Sequence, residues 1–189
     1  MTHSIKIAAH TLLAVWLATA AAHSAASGAD SRCQLAVGVS HLDFGTLTRA
    51  QLQAAGGANL TPGTRSVPVS VTCSRPRAIK LAVQGERNTD GQFLHGRYGV
   101  LRVRLTGAQL DGRPVALVRI SSKGTLVSQP ANAVTVAPGD VVSIVEGASS
   151  PKGQRLTLAL DSEPLLPDAA TRVASTDSHE TRVTVRIEQ

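Results

Sequence analysis

Aromatic side chains are nearly missing from this sequence. Phe, Tyr and Trp together make up 2% of the 189 residues, and the one Trp, Trp16, lies within the first twenty. That composition argues against any site that stacks bases or sugar rings on several aromatic faces. Cysteine is almost as scarce: two residues, Cys33 and Cys73, allow at most one internal disulfide. Charged residues reach only 17%, against 42% hydrophobic residues, a balance that suits a globular protein and argues against wholesale disorder. Long helices are also lacking. The 16 Gly and 9 Pro imply many turns, and no helical period persists beyond two turns; residues 47–55 are expected to form one short helix at most. The length provides for one ordinary domain and not for two large ones.

Catalytic constellations are thin. There is no G-x-S-x-G, so the hydrolase elbow is absent. Gly56-Gly57 is followed by neither a helix pattern nor a Lys, so it carries no phosphate signal. Beyond the N-terminal region the histidines are His41, His95 and His179, none at metal-ligand spacing, and each is expected on the surface or in a loop. Asp161 and Glu163 read as a pair of solvated acids in a Pro-flanked turn. The expectation is a protein that is not an enzyme and uses no cofactor or metal.

What the sequence does contain begins with its N-terminus. Lys6 is followed by a mostly apolar run from Ile7 to Ala22 and then by small residues up to Gly28. This is the order of a secretory signal, and the run is short for the ~20 residues that span a bilayer. The expected organisation is a leader over residues 1–26, cleaved between Ala20 and Gly28, and a single domain over residues 27–189. Export places Cys33 and Cys73 in an oxidising compartment, where they are expected to pair; two buried thiols are the alternative. A loop of about 40 residues closed in this way is worth roughly 4 kcal/mol in the chain-entropy model.

Charge is uneven. Residues 32–123 carry 13 basic and 4 acidic residues, whereas residues 124–189 carry 5 basic and 8 acidic. This suggests a dipolar molecule whose basic half meets something acidic, with a solvated Arg-rich surface as the plain alternative. Nucleic acid is a poor candidate, because the chain reads as exported, is short of aromatics and has no recognisable basic motif.

The remaining pattern is that of strands. Val67, Val69, Val71 and Cys73 fall on one face of an alternating segment that also contains Pro68, which places it at an edge or leaves it locally unpaired. Ile79, Leu81 and Val83 alternate with polar neighbours, as do Leu101, Val103 and Leu105, then Leu156, Leu158 and Leu160, and finally Val183, Val185 and Ile187. Asp111-Gly112 and Pro138-Gly139 mark turns. Seven to nine short strands are expected, with residues 149–153 and 164–178 as loose stretches. The pattern predicts an all-β antiparallel sandwich, with a closed barrel as the alternative.

One layout of residues is familiar. Cys33-Gln34-Leu35-Ala36-Val37 is followed by Leu42-Asp43-Phe44-Gly45-Thr46-Leu47, and then by Val67-Pro68-Val69-Ser70-Val71-Thr72-Cys73. The order resembles subunits of chaperone–usher pili, and more narrowly the fimbrial-protein-like family labelled DUF1120, over roughly residues 33–120. The resemblance implies an immunoglobulin-like, pilin-like sandwich that is incomplete, lacking its last strand. In such a protein the first Cys opens one strand and the second Cys closes the next. It implies a structural or adhesive role in a fimbrium at the cell surface, assembled by donor-strand complementation. The implied partners are a periplasmic chaperone, an outer-membrane usher and neighbouring pilus subunits. It further implies that Val183, Val185 and Ile187 line the acceptor groove. The competing expectation is a secreted or periplasmic binding module with a complete sandwich.

The chain departs from the pilin pattern at both ends. It closes on Arg186-Ile187-Glu188-Gln189 without the penultimate Tyr, and residues 27–32 have no large apolar side chain with which to fill a neighbour's pockets. The latter leads to the expectation of a distal tip subunit. Arg97, Arg102, Arg104, Arg113 and Arg119 form the expected basic face for an anionic surface ligand.

Overall fold

The computed structural model describes residues 32–120, 125–147, 149–173 and 175–188. The expected leader, residues 1–26, lies outside the described residues. In chain order the strands are β1 (Cys33–Val37), β2 (Gln53–Ala54), β3 (Asn59–Thr61), β4 (Arg65–Arg77), β5 (Lys80–Gly85), β6 (Phe93–His95) and β7 (Gly99–Leu110). They continue as β8 (Arg113–Pro114), β9 (Ala116–Ile120), β10 (Ala133–Val136), β11 (Val141–Val145), β12 (Gly153–Pro167) and β13 (Val183–Glu188). The expected helix over residues 47–55 is reduced to a single 3-10 turn, Arg49–Gln51, in which Thr48 and Gln51 cap each other.

The strands form two antiparallel sheets. The larger runs β1-β4-β12, with β7 on the other flank of β12 and β6, β8 and β10 against β7; β3 and β2 extend it beyond the start of β4. The smaller runs β13-β5-β11-β9. Side chains from both sheets close one core, including Val69 and Val71 of β4, Leu81 and Val83 of β5, Val103 and Leu105 of β7, and Ile144 of β11. Two sheets packed face to face over a common apolar layer make a sandwich. The predicted all-β antiparallel class is therefore the observed one.

Three long strands replace several of the short ones expected. β4, β7 and β12 are 13, 12 and 15 residues long. In β7 the buried positions shift phase, from Leu101, Val103 and Leu105 to Ala108 and Leu110. Gly107, at φ +62, supplies the extra residue, and the β7–β12 register shifts at the same point. The bulge lets one strand keep its apolar face inward on both sides of a bend. β12 also takes in residues 164–167, the beginning of the stretch expected to be loose. Pro164 falls between the last β4 rung, at Ser162, and the first β3 rung, at Leu166, so its missing N–H breaks no ladder there. Asp161 and Glu163, expected in a loop, are consequently strand residues. Asp161 accepts hydrogen bonds from the hydroxyls of Ser66 and Thr106, and Glu163 pairs with Arg102 at 2.8 Å.

β4 is an interior strand despite Pro68. Its neighbour β1 ends at Val37, opposite Val69, and the Pro68 carbonyl accepts the Gly38 N–H at 2.8 Å. The absent donor thus lies where β1 runs out, which is the local unpairing that a proline demands.

Cys33 and Cys73 are bonded, with their Cα atoms 4.0 Å apart. They face each other across β1 and β4, and the adjacent rung, Ser74 N–H to Arg32 C=O at 3.2 Å, carries the hydrogen bond. A disulfide fits a non-hydrogen-bonded pair because the strands approach most closely there. It ties the first edge strand to the core. Replacing both residues by Ala is expected to lower unfolding stability by about 2–5 kcal/mol, read from urea midpoints of the oxidised wild type and the variant.

Candidate functional site

Two edge strands, one from each sheet, flank the same opening of the sandwich. β1 ends the larger sheet and β13 ends the smaller, and the two approach each other. Residues directly opposite in an antiparallel pair share a face. Leu35 and Val37 oppose Val71 and Val69, so they point inward with the core. Val183, Val185 and Ile187 oppose Gly85, Val83 and Leu81, and they point inward likewise.

Facing inward has not buried them. Val37 is 44% exposed although Val69, its direct partner, is 2% exposed. Val183, Val185 and Ile187 are half-buried, whereas Val83 and Leu81 beside them are fully enclosed. Cys33, Leu35, Val183, Val185 and Ile187 all pack against the core from one side only. The result is a partly covered apolar strip between two edge strands, with β1 as one lip and β13 as the other. β13 is hydrogen-bonded on its β5 flank, and the described residues supply no partner on its other flank. Such an edge is a template for another strand.

The start of the β13 lip is pinned by a histidine pair. Thr181 donates its hydroxyl proton to the Leu94 carbonyl at 2.8 Å, and His95 Nδ1 lies 2.8 Å from the same hydroxyl oxygen. A hydroxyl has one proton to give, so His95 must be the donor and carries its hydrogen on Nδ1. The His179 ring stacks on His95 with centroids 5.7 Å apart and planes 27° apart. Gly96 makes room for it: a Cβ there would sit 2.3 Å from His179 Nδ1. The Gly96 N–H also donates to the Glu180 carbonyl at 3.0 Å. His179 Nε2 lies 3.6 Å from Asp177 Oδ2. Burial first, and the neighbouring His179 second, push the His95 pKa down to about 4. His95 and His179 are thus packed against each other, and His95 is buried, contrary to the expectation of surface or loop histidines; His41 is an exposed loop residue.

The remaining expected site residues are spread over the molecule. Arg102 and Arg104 project from the outer face of β7, and Arg113 lies in β8. Arg119 belongs to β9 in the other sheet, while Arg97 sits over the ring of Tyr98 at 5.2 Å. Arg102 is bonded to Glu163, and Arg119 to Asp140 at 3.1 Å. Arg119 lies in the other sheet from Arg102, Arg104 and Arg113, so these five do not make one basic face. The Asp43-Phe44-Gly45 motif forms a side-chain turn just beyond β1: Asp43 Oδ1 accepts the Gly45 N–H at 2.7 Å, with Gly45 at φ +76.

Sequence reading identified only the β13 side of this strip. Leu35 and Val37 escaped notice because Gln34 and Ala36 between them give a weak alternation. The usable signal was Cys33, whose bond to Cys73 fixes the register of β1 and hence the inward direction of Leu35 and Val37. No protein-family model matches the chain, and no curated protein matches it.

The histidine pair gives the fold a pH dependence. The folded state holds His95 neutral, with a pKa near 4 against 6.5 for the free side chain. The unfolded chain therefore binds the extra proton between these values, and stability falls as pH drops through that window. Urea midpoints are expected to be lower at pH 4.5 than at pH 7, after carboxylate titration common to both proteins is subtracted using His95→Asn. The Asn side-chain amide retains the donor at the Nδ1 position without titrating. An identical pH response of wild type and variant would show that His95 is not responsible.

Proposed function

We propose that this chain is a structural or adhesive subunit of a chaperone–usher type pilus, assembled by donor-strand complementation. Its groove accepts a strand from a periplasmic chaperone and then from a neighbouring subunit at the outer-membrane usher. The observation that carries this reading is the half-covered inner face of the two lips, with Val37 on one side and Val183, Val185 and Ile187 on the other. A donated strand pairs with the open flank of β13 and inserts alternate apolar side chains between the sheets. The Cys33–Cys73 bond and the position of the Asp43-Phe44-Gly45 turn after β1 agree with the layout expected of such subunits. Export to the cell surface belongs to the same reading.

The energetics suit strand addition. Full burial of a Val, Leu or Ile side chain is worth about 1.5–3 kcal/mol, and these side chains are already half-covered, so each has roughly 1 kcal/mol left to gain. Five lining residues then offer on the order of 5 kcal/mol, to which the backbone ladder adds and from which the ordering of the donor subtracts.

The test uses a synthetic peptide of alternating Val and Thr, about one strand long. The purified full-length chain is expected to bind it and to melt at a higher temperature in its presence. Val37→Asp and Val185→Asp each place a carboxylate in the groove and are expected to weaken binding at least tenfold, about 1.4 kcal/mol or more. Arg186→Asp, on the outer face of the same strand, is expected to bind as wild type does. A chain that accumulates alone in the periplasm as a soluble monomer and gains nothing from the peptide would instead be a complete binding module.

A further inference from the structure

The strand directions gather charge at one end of the sandwich. β4 and β7 finish at the end where β1 and β12 begin, so Arg32, Arg75, Arg77, Arg113, Lys152 and Arg155 share the pole that carries the disulfide. The turns at that pole contain two carboxylates, Asp111 and Glu146. Asp111 accepts the backbone N–H groups of Gln154 at 3.1 Å and Arg155 at 2.8 Å, so its oxygens are engaged by the main chain. Lys80, nearby on β5, stands opposite Glu188 of β13. Arg75, Arg113, Lys152 and Arg155 are exposed and enter no ion pair among the described residues.

The opposite pole pairs several of its cations with carboxylates, although Arg65, Arg97 and Arg182 there are exposed and enter no ion pair among the described residues. Arg102 meets Glu163, Arg119 meets Asp140, and both Arg172 and Arg49 hydrogen-bond to Asp168, which holds that carboxyl below its usual range. At the disulfide pole basic residues outnumber the carboxylates Asp111, Glu146 and Glu188, around a shallow depression of about 370 Å³ lined by Thr72, Cys73, Asp111, Gln154 and Arg155.

Two further features narrow the partner. Among the described residues the exposed large apolar side chains, including Val39, Tyr98, Leu126 and Val127, lie away from this pole. The aromatic rings of the described residues are also elsewhere: Phe44 lies against Arg65 at the start of β4, Phe93 is in the core, and Tyr98 precedes β7. Base stacking is thus unavailable at the pole. A flexible chain of closely spaced phosphate or sulfate groups needs neither contact. It gains from cations held apart from carboxylates and from counterion release.

We propose that the disulfide pole binds a polyanionic polysaccharide, one carrying phosphate or sulfate groups, independently of whatever occupies the groove. Heparin is the probe, with uncharged dextran and a DNA duplex as comparisons, titrated against the purified full-length chain from 20 to 200 mM NaCl. Heparin is expected to bind and dextran not to bind, with an affinity that falls steeply with salt. The variant Arg75→Gln/Arg113→Gln/Lys152→Gln/Arg155→Gln is expected to lose at least about tenfold in affinity at 50 mM NaCl and to show a shallower salt slope. A control with the same change in net charge, Arg65→Gln/Arg97→Gln/Arg104→Gln/Arg182→Gln, is expected to change less than about threefold. Unchanged melting temperatures show that both variants are folded. Equal losses in the two variants would mean that net charge alone attracts heparin, and would overturn the assignment. So would absence of heparin binding at 50 mM NaCl, or tighter binding of the DNA duplex than of heparin.

Discussion

A strand at the end of a sheet has a hydrogen-bonded neighbour on one flank only, and its inward side chains are covered from one side only. In this protein that constraint acts twice at the same place. β1 closes the larger sheet and β13 the smaller, and the two strands approach each other. The core behind them is tightly closed, with Val71, Val83, Val103 and Leu105 without accessible surface. The contrast between Val69 and its partner Val37, or between Val83 and its partner Val185, is therefore a property of the edge and not of the residue type.

The elements around the opening hold both lips in place by different means. β1 has a five-residue ladder to β4 and a covalent bond at its first residue. β13 has a six-residue ladder to β5, and the segment before it is anchored to β6 by Thr181, His95 and His179.

Charge follows a separate logic. Along the chain the basic residues concentrate before Gly124 and the acidic ones after it. Folding does not keep those halves apart. Antiparallel pairing of β7 with β12 sets Arg102 against Glu163 and Arg104 against Asp161, so much of the linear asymmetry cancels across rungs. What survives is an asymmetry between poles, to which Lys152 and Arg155 of the acidic half contribute.

The sequence by itself determined the class of fold and much of the core. Period-two alternation in 65–73, 101–105, 156–160 and 183–187 identified inward residues that are buried or half-buried as expected, because a strand's side chains alternate regardless of its neighbours. It also marked the cysteines, which the structure joins. The tertiary structure alone decided which strands are edges, since pairing partners such as Lys80 and Glu188 lie more than a hundred residues apart and leave no local mark. β4 carries two prolines, Pro68 and Pro76, and yet is interior; β13 carries none and is an edge. The second lip at Leu35 and Val37, the contact between His95 and His179, and the gathering of cations at one pole all arise from register and strand direction. Those are set by long-range packing, and no short window of residues contains them.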